Sequence, residues 1–409
     1  MRRMPIAAVV AAAAVFLAAC GGTEGAAPKP PDTLFLRSAD GITLVRTRPQ
    51  AVAVRFAGAV PSIDWSAVVR ASSQGGGTRL EALDASSGTR LWTRDVPGSL
   101  EVKVASPEAR LVALGTPRRG TGYPGGRAST TLVIVGANSA RPRTIHLTGN
   151  FEPEAFSTDG RSLFVIQYMP AKAPTHYRVR RLDLGTEQVT GVYTVDAELQ
   201  RSMRGTARVQ AASPDGSRLY TLYSIDGAGG TSHSFIHVLS LDEEWAHCVD
   251  LPATFGTAAD RSIALSVAPD GRRLYVADSA TGAVAEVDTQ ALRVTHSEEV
   301  GFGSAGQAAY AARGSDGVLY VAAGKRVMAV DTRSLTPQRW WDLEGRITGL
   351  QAGAGGRLYV GLKDRIMALD TATGRQVAVL DPAHTGTIRQ LGQSTVTLDQ
   401  QRTDITCAC

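Results

Sequence analysis

The chain has 409 residues, of which 43% are hydrophobic and 20% charged, and its formal net charge is +5. This composition excludes a disordered or collagen-like chain and is typical of a globular protein with two or three small domains or one large closed domain. The basic residues are spread along the chain without a basic block, so nucleic acid is not expected as a partner.

Residues 1–19 are predicted to be a secretory signal. Arg2 and Arg3 precede an apolar run from Ile6 to Ala19, which is shorter than the roughly 20 residues that a membrane-spanning helix needs. Leu17-Ala18-Ala19-Cys20, followed by two glycines, resembles the lipobox of bacterial lipoproteins. The resemblance implies that Cys20 becomes the acylated first residue of the mature chain; an ordinary cleaved signal with an incidental Cys20 is the alternative.

Residues 20–32 are predicted to join the lipidated cysteine to the folded body as a flexible tether, because they are rich in Gly, Pro and small residues and have no apolar pattern. Two or three acyl chains would anchor the protein stably to a membrane without crossing it. The expected location is therefore the cell membrane or envelope, on the extracytoplasmic side.

From residue 33 onward the sequence indicates an all-β fold. Short alternating runs of aliphatic and β-branched residues are separated by turn residues, with no helical periodicity of useful length. Complete turn motifs stand at 157–160, 213–216, 268–271 and 314–317, and degenerate copies at 106–109 and 353–356. These turns recur at intervals of 39 to 56 residues, which is typical of a repeat protein.

Each repeat contains signals for four strands. The turn is followed by a strand with a Leu-aromatic pair, such as Leu319-Tyr320, and the aromatic suits a half-buried pleated surface. A third strand ends in an apolar-Asp pair, such as Val330-Asp331, and a fourth follows after a short turn. Four strands per 40 to 55 residues indicate the blade of a β-propeller.

Residues 33–399 are predicted to form the propeller and residues 400–409 a C-terminal tail. Seven full units are counted, beginning near Ser62, Glu101, Glu154, Ala207, Ser262, Ala305 and Arg346. Residues 33–56 supply only three strands, and the segment Thr387 to Leu391 supplies one. If these join, the ring closes with eight blades and no exposed strand edge; seven blades with a terminal extension is the alternative.

Two related propeller families are similar to this repeat. The segment from Ala82 to Trp92 resembles the tryptophan-docking repeat of quinoprotein-type (PQQ-like) propellers, and residues 368–374 repeat its first half. The segment from Tyr275 to Asp288 resembles the YVTN-type surface-layer repeat. These resemblances imply a fold and leave the activity open.

No cofactor is predicted. A quinoprotein dehydrogenase would need a cofactor cavity, calcium ligands and, in many members, a vicinal disulfide, whereas this sequence has no Cys-Cys pair and only one complete tryptophan motif. His233 and His237 are expected on one face of a strand, but without further ligands at metal spacing they are read as solvated or sheet-packed. The aspartates of the Asp-Gly turns are read as turn formers, so no metal site is predicted.

The sequence does not decide which disulfide the remaining cysteines form. Cys248, Cys407 and Cys409 should tend to oxidise outside the cytoplasm, but three thiols cannot all pair within one chain. Cys248 bonded to Cys407 or Cys409 would attach the tail to the body. A strained link between the last two cysteines or an intermolecular bridge is the alternative.

Trp340 and Trp341 are predicted on an outer strand of one blade. Alternation should turn one ring towards the neighbouring blade and the other towards solvent. The second ring is a candidate contact for a partner.

The predicted innermost strands supply the candidate channel site. Propeller enzymes usually gather catalytic groups where these strands begin, and the residues expected there are Asp64, Glu154, Arg208, Arg261, Gln307, Arg346 and Arg389. Acids, arginines and an amide, without His or Cys, suit a protein segment or an acidic or hydrogen-bonding ligand, so no catalytic residue is assigned.

The sequence therefore favours a membrane-anchored propeller lipoprotein with a non-catalytic binding or scaffold role. Such a body also resembles the propeller lipoprotein of bacterial outer-membrane assembly. A lactonase-like, lyase-like or quinoprotein-like enzyme acting in the central channel is the alternative. The sequence identifies neither the partner nor the oligomeric state.

Overall fold

The computed structural model describes residues 33–38, 41–48, 50–117, 125–194, 205–225, 233–255, 262–381, 390–391 and 396–397. Over these ranges the chain forms strands and two 3₁₀ turns, Pro107–Ala109 and Ala253–Phe255, and no α-helix. None of the helical segments in these ranges is long and apolar enough to cross a membrane. The predicted signal, tether and C-terminal tail lie outside them.

The strands form eight blades arranged as a β-propeller, which confirms the predicted fold class. The first four blades contain, in addition to one strand described below, β1 (Thr33–Ser38), β2 (Gly41–Thr47) and β3 (Gln50–Ala57) in blade 1; β4 (Ala59–Pro61), β5 (Ala67–Gln74), β6 (Gly77–Asp84) and β7 (Arg90–Pro97) in blade 2; β8 (Glu101–Ala105), β9 (Leu111–Gly115), β10 (Ser129–Gly136) and β11 (Arg143–Thr148) in blade 3; and β12 (Asn150–Phe156), β13 (Ser162–Met169), β14 (His176–Asp183) and β15 (Val189–Gly191) in blade 4.

The last four blades follow the same order from the innermost strand outward. They contain, after the short strand β16 (Tyr193–Thr194), β17 (Thr206–Ala212), β18 (Arg218–Ile225), β19 (His233–Ser240) and β20 (Trp245–Asp250) in blade 5; β21 (Ile263–Val267), β22 (Arg273–Asp278), β23 (Ala283–Asp288) and β24 (Arg293–Glu299) in blade 6; β25 (Ala309–Arg313), β26 (Val318–Ala323), β27 (Arg326–Asp331) and β28 (Pro337–Asp342) in blade 7; and β29 (Gly349–Gly353), β30 (Arg357–Gly361), β31 (Ile366–Asp370) and β32 (Gln376–Leu380) in blade 8.

The Leu-aromatic pairs on the second strands are buried on both faces of their blades. Leu319 and Tyr320 are both buried, and they belong to different hydrophobic clusters on opposite sides of β26. The sequence predicts a half-buried surface here, but the neighbouring blades cover both faces of each sheet. Burying each such side chain contributes roughly 1.5 to 3 kcal/mol.

The recurring turns between first and second strands are held by their own side chains. In blade 5 the Ser213 hydroxyl donates to Asp215 Oδ1 at 2.5 Å and accepts the Arg218 N–H at 2.9 Å, while Asp215 Oδ1 accepts the Ser217 N–H at 3.0 Å. Gly216 has a φ of 70°, which a residue with a side chain rarely adopts. The aspartates of these turns therefore shape the backbone, as predicted.

The ring closes through the two ends of the chain. β33 (Gln390–Leu391) pairs antiparallel with β1, with Leu391 opposite Leu36, and becomes the innermost strand of blade 1. This pairing confirms eight blades, and the closing strand is supplied by residues 390–391 of the predicted segment Thr387 to Leu391. The alternative of seven blades with an extension is wrong.

Blade 5 carries two strands beyond its own four. β16 pairs in parallel with the outer strand β20, and β34 (Val396–Thr397) pairs antiparallel with the innermost strand β17. Over the described ranges, blade 5 is the one sheet with six strands.

Two truncated chains test ring closure by β33 separately from the contribution of the residues that follow β33. A chain ending at Gly386 lacks β33, so it should aggregate or lose its cooperative melting transition because the channel edge of blade 1 is exposed. A chain ending at Leu391 keeps β33 and should melt cooperatively, close to the parent. Calorimetry with light scattering measures both properties. Parent-like melting of the shorter chain would contradict closure through β33.

Candidate functional site

A cavity of about 520 Å³ opens in the channel where the innermost strands finish. Five consecutive blades supply it from β4, β8, β12, β17 and β21, and Arg37 of blade 1 completes the wall. The polar and charged lining includes Arg37, Asp64, Lys103, Glu154 and Gln210, whereas Val60, Ile63, Trp65, Val104, Phe156 and Val267 give it apolar surface.

The innermost strands of blades 3, 4 and 5 each contain a β-bulge. The residue skipped by the pairing register is Lys103 in β8, Glu154 in β12 and Arg208 in β17. Over the described residues, the other pairs of first and second strands run without such a shift. A bulge re-aims the extra side chain, so three neighbouring blades present a charged residue at this kind of position.

Lys103 belongs to a partly buried network of charges. Its Nζ lies 2.5 Å from Glu101 Oε1 and 3.5 Å from Glu152 Oε2, and Arg127 Nη2 lies 2.8 Å from Glu152 Oε1. The side chains of Lys103 and Glu152 are only 10% and 11% exposed. Because two cations face two carboxylates, the network fixes its charges in place without a net local charge.

Glu154 is connected to a polar row that runs outward through blade 5. Gln210 Nε2 donates to Glu154 Oε1 at 2.8 Å and to Thr221 Oγ1 at 3.0 Å. Thr221 lies opposite His237 on β19, and His237 lies opposite Cys248 on β20. Residues paired in this way share a face, so the row extends from the channel to the outer strand.

His237 is the most strongly perturbed group of this row. It is buried, and its ring lies edge-on to Tyr223 with centroids 6.2 Å apart. Desolvation by burial lowers the pKa of His237 to about 4; the Glu154 carboxylate opposes this shift and His247 adds to it. The imidazole is therefore neutral at physiological pH.

The sequence-predicted channel residues are divided between the two ends of the channel. Glu154 lies on β12 in the cavity wall, near the end of the strand. Asp64 also lines the cavity but lies in the turn after β4, where it accepts the Ser62 and Ser66 hydroxyls at 2.6 and 2.8 Å. It shapes its turn as Asp215 does.

Three other predicted residues lie near or before the starts of their strands, away from the cavity lining. Arg208 Nε donates to Ser224 Oγ at 2.5 Å, the Gln307 carbonyl accepts the Ser279 hydroxyl at 2.6 Å, and Arg346 is an exposed residue before β29. Arg261 and Arg389 lie outside the described residues, as do Cys20, Cys407 and Cys409.

Sequence reasoning missed Lys103, Gln210 and Arg37. Lys103, Glu154 and Gln210 each stand three residues before the first residue of the recurring turn, so an alignment on that offset would have grouped them. Arg37 lies with its guanidinium carbon 5.4 Å from the centre of the Trp65 ring. No repeat motif includes this residue.

Of the other residues singled out from the sequence, His233 and Cys248 lie in the described part of the chain. His233 Nε2 lies 3.0 Å from Asp250 Oδ1, and Cys248 is half-buried beside a hydrophobic cluster. The described part of the chain contains no group of three or more His, Cys, Asp or Glu residues placed to hold a metal ion. The disulfide remains a prediction, because its other candidate partners are not described.

The two adjacent tryptophans, Trp340 and Trp341, point to opposite sides of their strand, as predicted. Trp341 stacks on Tyr320 with centroids 6.3 Å apart and packs against Gly374 of the next blade, where a Cβ would collide with the indole. Trp340 is 58% exposed. One ring therefore joins two blades, and the other faces solvent.

The repeats match a known family over part of the chain. Residues 200–378 match the family model described as outer membrane protein assembly factor BamB, which bears out the PQQ-like repeat type. No curated protein sequence matches the chain significantly.

Solved structures are similar to this chain at low sequence identity. The structure of AztD from Citrobacter koseri matches with a TM-score of 0.53 and 12% identity, over 89% of this chain and 97% of that one. BamB from Moraxella catarrhalis matches with a TM-score of 0.41 and 15% identity, over 80% of this chain and 90% of that one. The dihydro-heme d1 dehydrogenase NirN matches with a TM-score of 0.47 and 13% identity, over 80% of this chain and 66% of that one. The chain thus spans just under two thirds of NirN.

Buried His237 should make the protein less stable in mild acid. Its folded-state pKa of about 4 lies below the ordinary value of 6.5, so protons bind the unfolded chain first as the pH falls. Between pH 7 and pH 4.5 this group should remove about 2 to 3 kcal/mol of unfolding free energy. Urea unfolding at both pH values measures the loss.

The His237→Gln variant is the matched control, because glutamine is polar but does not titrate. Between pH 7 and pH 4.5 the variant should lose about 2 to 3 kcal/mol less unfolding free energy than the parent. Equal losses in the two proteins would contradict the assignment of a low pKa to His237.

Proposed function

We propose that the protein is a lipid-anchored, extracytoplasmic propeller with a non-catalytic binding or scaffold role, and that the channel cavity is its binding site. The observation that carries the binding site is the combination of apolar walls and fixed charges of both signs in one cavity of about 520 Å³. This volume falls in the range of ordinary ligand pockets.

The charges of the cavity are held in place before any ligand arrives. Lys103 is paired with Glu101 and Glu152, and Glu154 accepts a hydrogen bond from Gln210. Such groups lose little freedom when they meet a complementary ligand, so they provide orientation and specificity at a small entropic cost. A peptide, with main-chain donors and acceptors and side chains of mixed character, has the matching chemistry. The balanced charge favours it over a purely acidic ligand.

The anchoring part of the proposal is supported by the N-terminal sequence. The lipobox-like tetrad ending at Cys20 follows a basic and then apolar segment, and the matching family model is described as an outer membrane assembly factor. An envelope location brings such a propeller to partners at a membrane surface.

Replacing Cys20 with Ser should remove the acylated residue. The variant should accumulate as the uncleaved precursor or appear in the soluble fraction, whereas the parent should remain with the membrane and incorporate labelled palmitate. Fractionation of both proteins in the same bacterial host, with immunoblotting, makes the measurement. Unchanged membrane association together with unchanged labelling of the variant would contradict lipidation at Cys20.

A photoreactive amino acid at Ala212, in the cavity wall, should capture a specific partner in the intact envelope. The matched control carries the same group at Val377, which lies on outer strand β32 and is 47% exposed. A species crosslinked at Ala212 and not at Val377 would support binding in the channel.

Identical species at both positions, or no species at Ala212, would contradict channel binding. Turnover of a lactone or PQQ-dependent dye reduction by the purified protein, lost on replacing Lys103 or Glu154, would overturn the non-catalytic role.

A further inference from the structure

The channel edge of blade 5 carries a short added strand. In β34, Val396 lies opposite Gln210 and Thr397 lies opposite Val209 of β17, in antiparallel register. β17 is the innermost of the blade's own four strands, so β34 lies on the side of β17 that faces the channel. The structure therefore contains one instance of an extended segment bound to an inner strand.

β34 reaches this edge directly from the closing strand. β33 lies in blade 1, β34 lies on blade 5, and these blades are opposite one another in a ring of eight. Only residues 392–395 separate the two strands, and five Cα steps span at most about 18 Å. The pairing with β17 is therefore made within the channel.

The inner edges of the ring differ in their capacity to pair. β4 contains Pro61 and β12 contains Pro153, and each proline lacks an N–H. Within a sheet, proline is tolerated where that N–H would point away from the neighbouring strand, so these two edges lack a donor on the channel side. β17 has seven residues and no proline. No residue of β17 therefore lacks a main-chain N–H, as is also true of β8, β21, β25 and β29; the bulge at Arg208 lies before the residues that pair with β34.

The second half of β17 borders the cavity. The Gln210 side chain is tied to Glu154 and Thr221, and Gln210, Ala211 and Ala212 all line the cavity. A strand on this edge therefore lies next to the cavity.

We propose that the channel edge of β17 is a strand-accepting site whose ligand is an extended polypeptide segment, and that β34 occupies this site when no partner is bound. The inference rests on the proposed binding role and names its ligand class. In strand addition, main-chain hydrogen bonds provide affinity and alternate side chains provide specificity. The sequence Ser394-Thr395-Val396-Thr397-Leu398 is rich in β-branched residues, which suit such a strand.

A resident segment changes how a partner binds. A tethered strand acts at an effective concentration on the order of millimolar, so it competes strongly with a free peptide. A partner must therefore displace β34 with a better strand or with additional contacts elsewhere.

The test uses a chain that ends at Leu391 and so keeps β33 while lacking β34. Hydrogen exchange of residues 206–212 should be at least about tenfold faster in this chain than in the full chain. A labelled peptide of residues 392–400 should bind the truncated chain at least about tenfold more tightly than the full chain and restore the protection. Residues 309–313 of β25, to which none of the described strands is added, should exchange equally in both chains.

A control peptide carries Val396→Pro and Thr397→Pro, which removes both N–H groups of the added strand. It should not bind, because a strand added to β17 needs one of them. If the truncation also accelerates exchange in residues 309–313, the full-length chain with the same two prolines replaces the truncated chain, since it does not end directly after β33. Equal protection of residues 206–212 in full and altered chains, or equal binding of the two peptides, would overturn the proposal.

These measurements are made on purified protein and do not depend on the envelope experiments. Peptide binding without a species captured at Ala212 would retain the strand-accepting site and reject the proposed cellular role. A species captured at Ala212 without peptide binding would retain the binding role and reject strand addition as its mode.

Discussion

Every blade of this propeller depends on its neighbours for the burial of its two faces. The second strands show this most clearly, because Leu319 and Tyr320 point in opposite directions along β26 and both are buried. A single blade would leave one apolar face exposed on each side, so four strands alone do not make a stable unit. Closure of the ring removes both exposed faces at once, and the pairing of β33 with β1 is therefore the contact on which the rest depends.

The parts that were predictable from the sequence are those that depend on local chemistry. The turn at Ser213 to Gly216 is set by its own serine, aspartate and glycine, and the closing strand follows from counting strands against blades. The bulge at Lys103 was not predictable, because the pairing with β9 decides which residue is extra. Asp64 was misplaced relative to its strand because Trp65, at a φ of 57°, stands where the complete turn motifs have glycine, so this copy of the repeat was not recognised.

The chemistry of the channel is concentrated in one sector of the ring. Blades 3, 4 and 5 carry the bulges, the paired charges around Lys103 and the hydrogen bonds between Glu154 and Gln210. The same sector continues outward as the row that runs through Thr221 and His237 to Cys248. At the positions equivalent to Lys103, blades 2, 6, 7 and 8 have Ala59, Leu265, Ala311 and Leu350. A symmetric fold thus presents an asymmetric surface, because this position is polar in blades 3, 4 and 5, as Lys103, Glu154 and Gln210, and apolar in blades 2, 6, 7 and 8.

Blade 1 also determines the order in which the molecule can be completed. Its first three strands are synthesised first and its innermost strand almost last, so Leu36 waits for Leu391 through the synthesis of nearly the whole body. Contacts this distant along the chain are slow to form, because the entropy of closing the intervening chain must be overcome before they contribute any stability. Until then the unpaired edge of β1 and the face of blade 8 that packs on blade 1 remain exposed and can associate with other chains. The same join that makes the finished ring cooperative therefore makes its last folding step the vulnerable one.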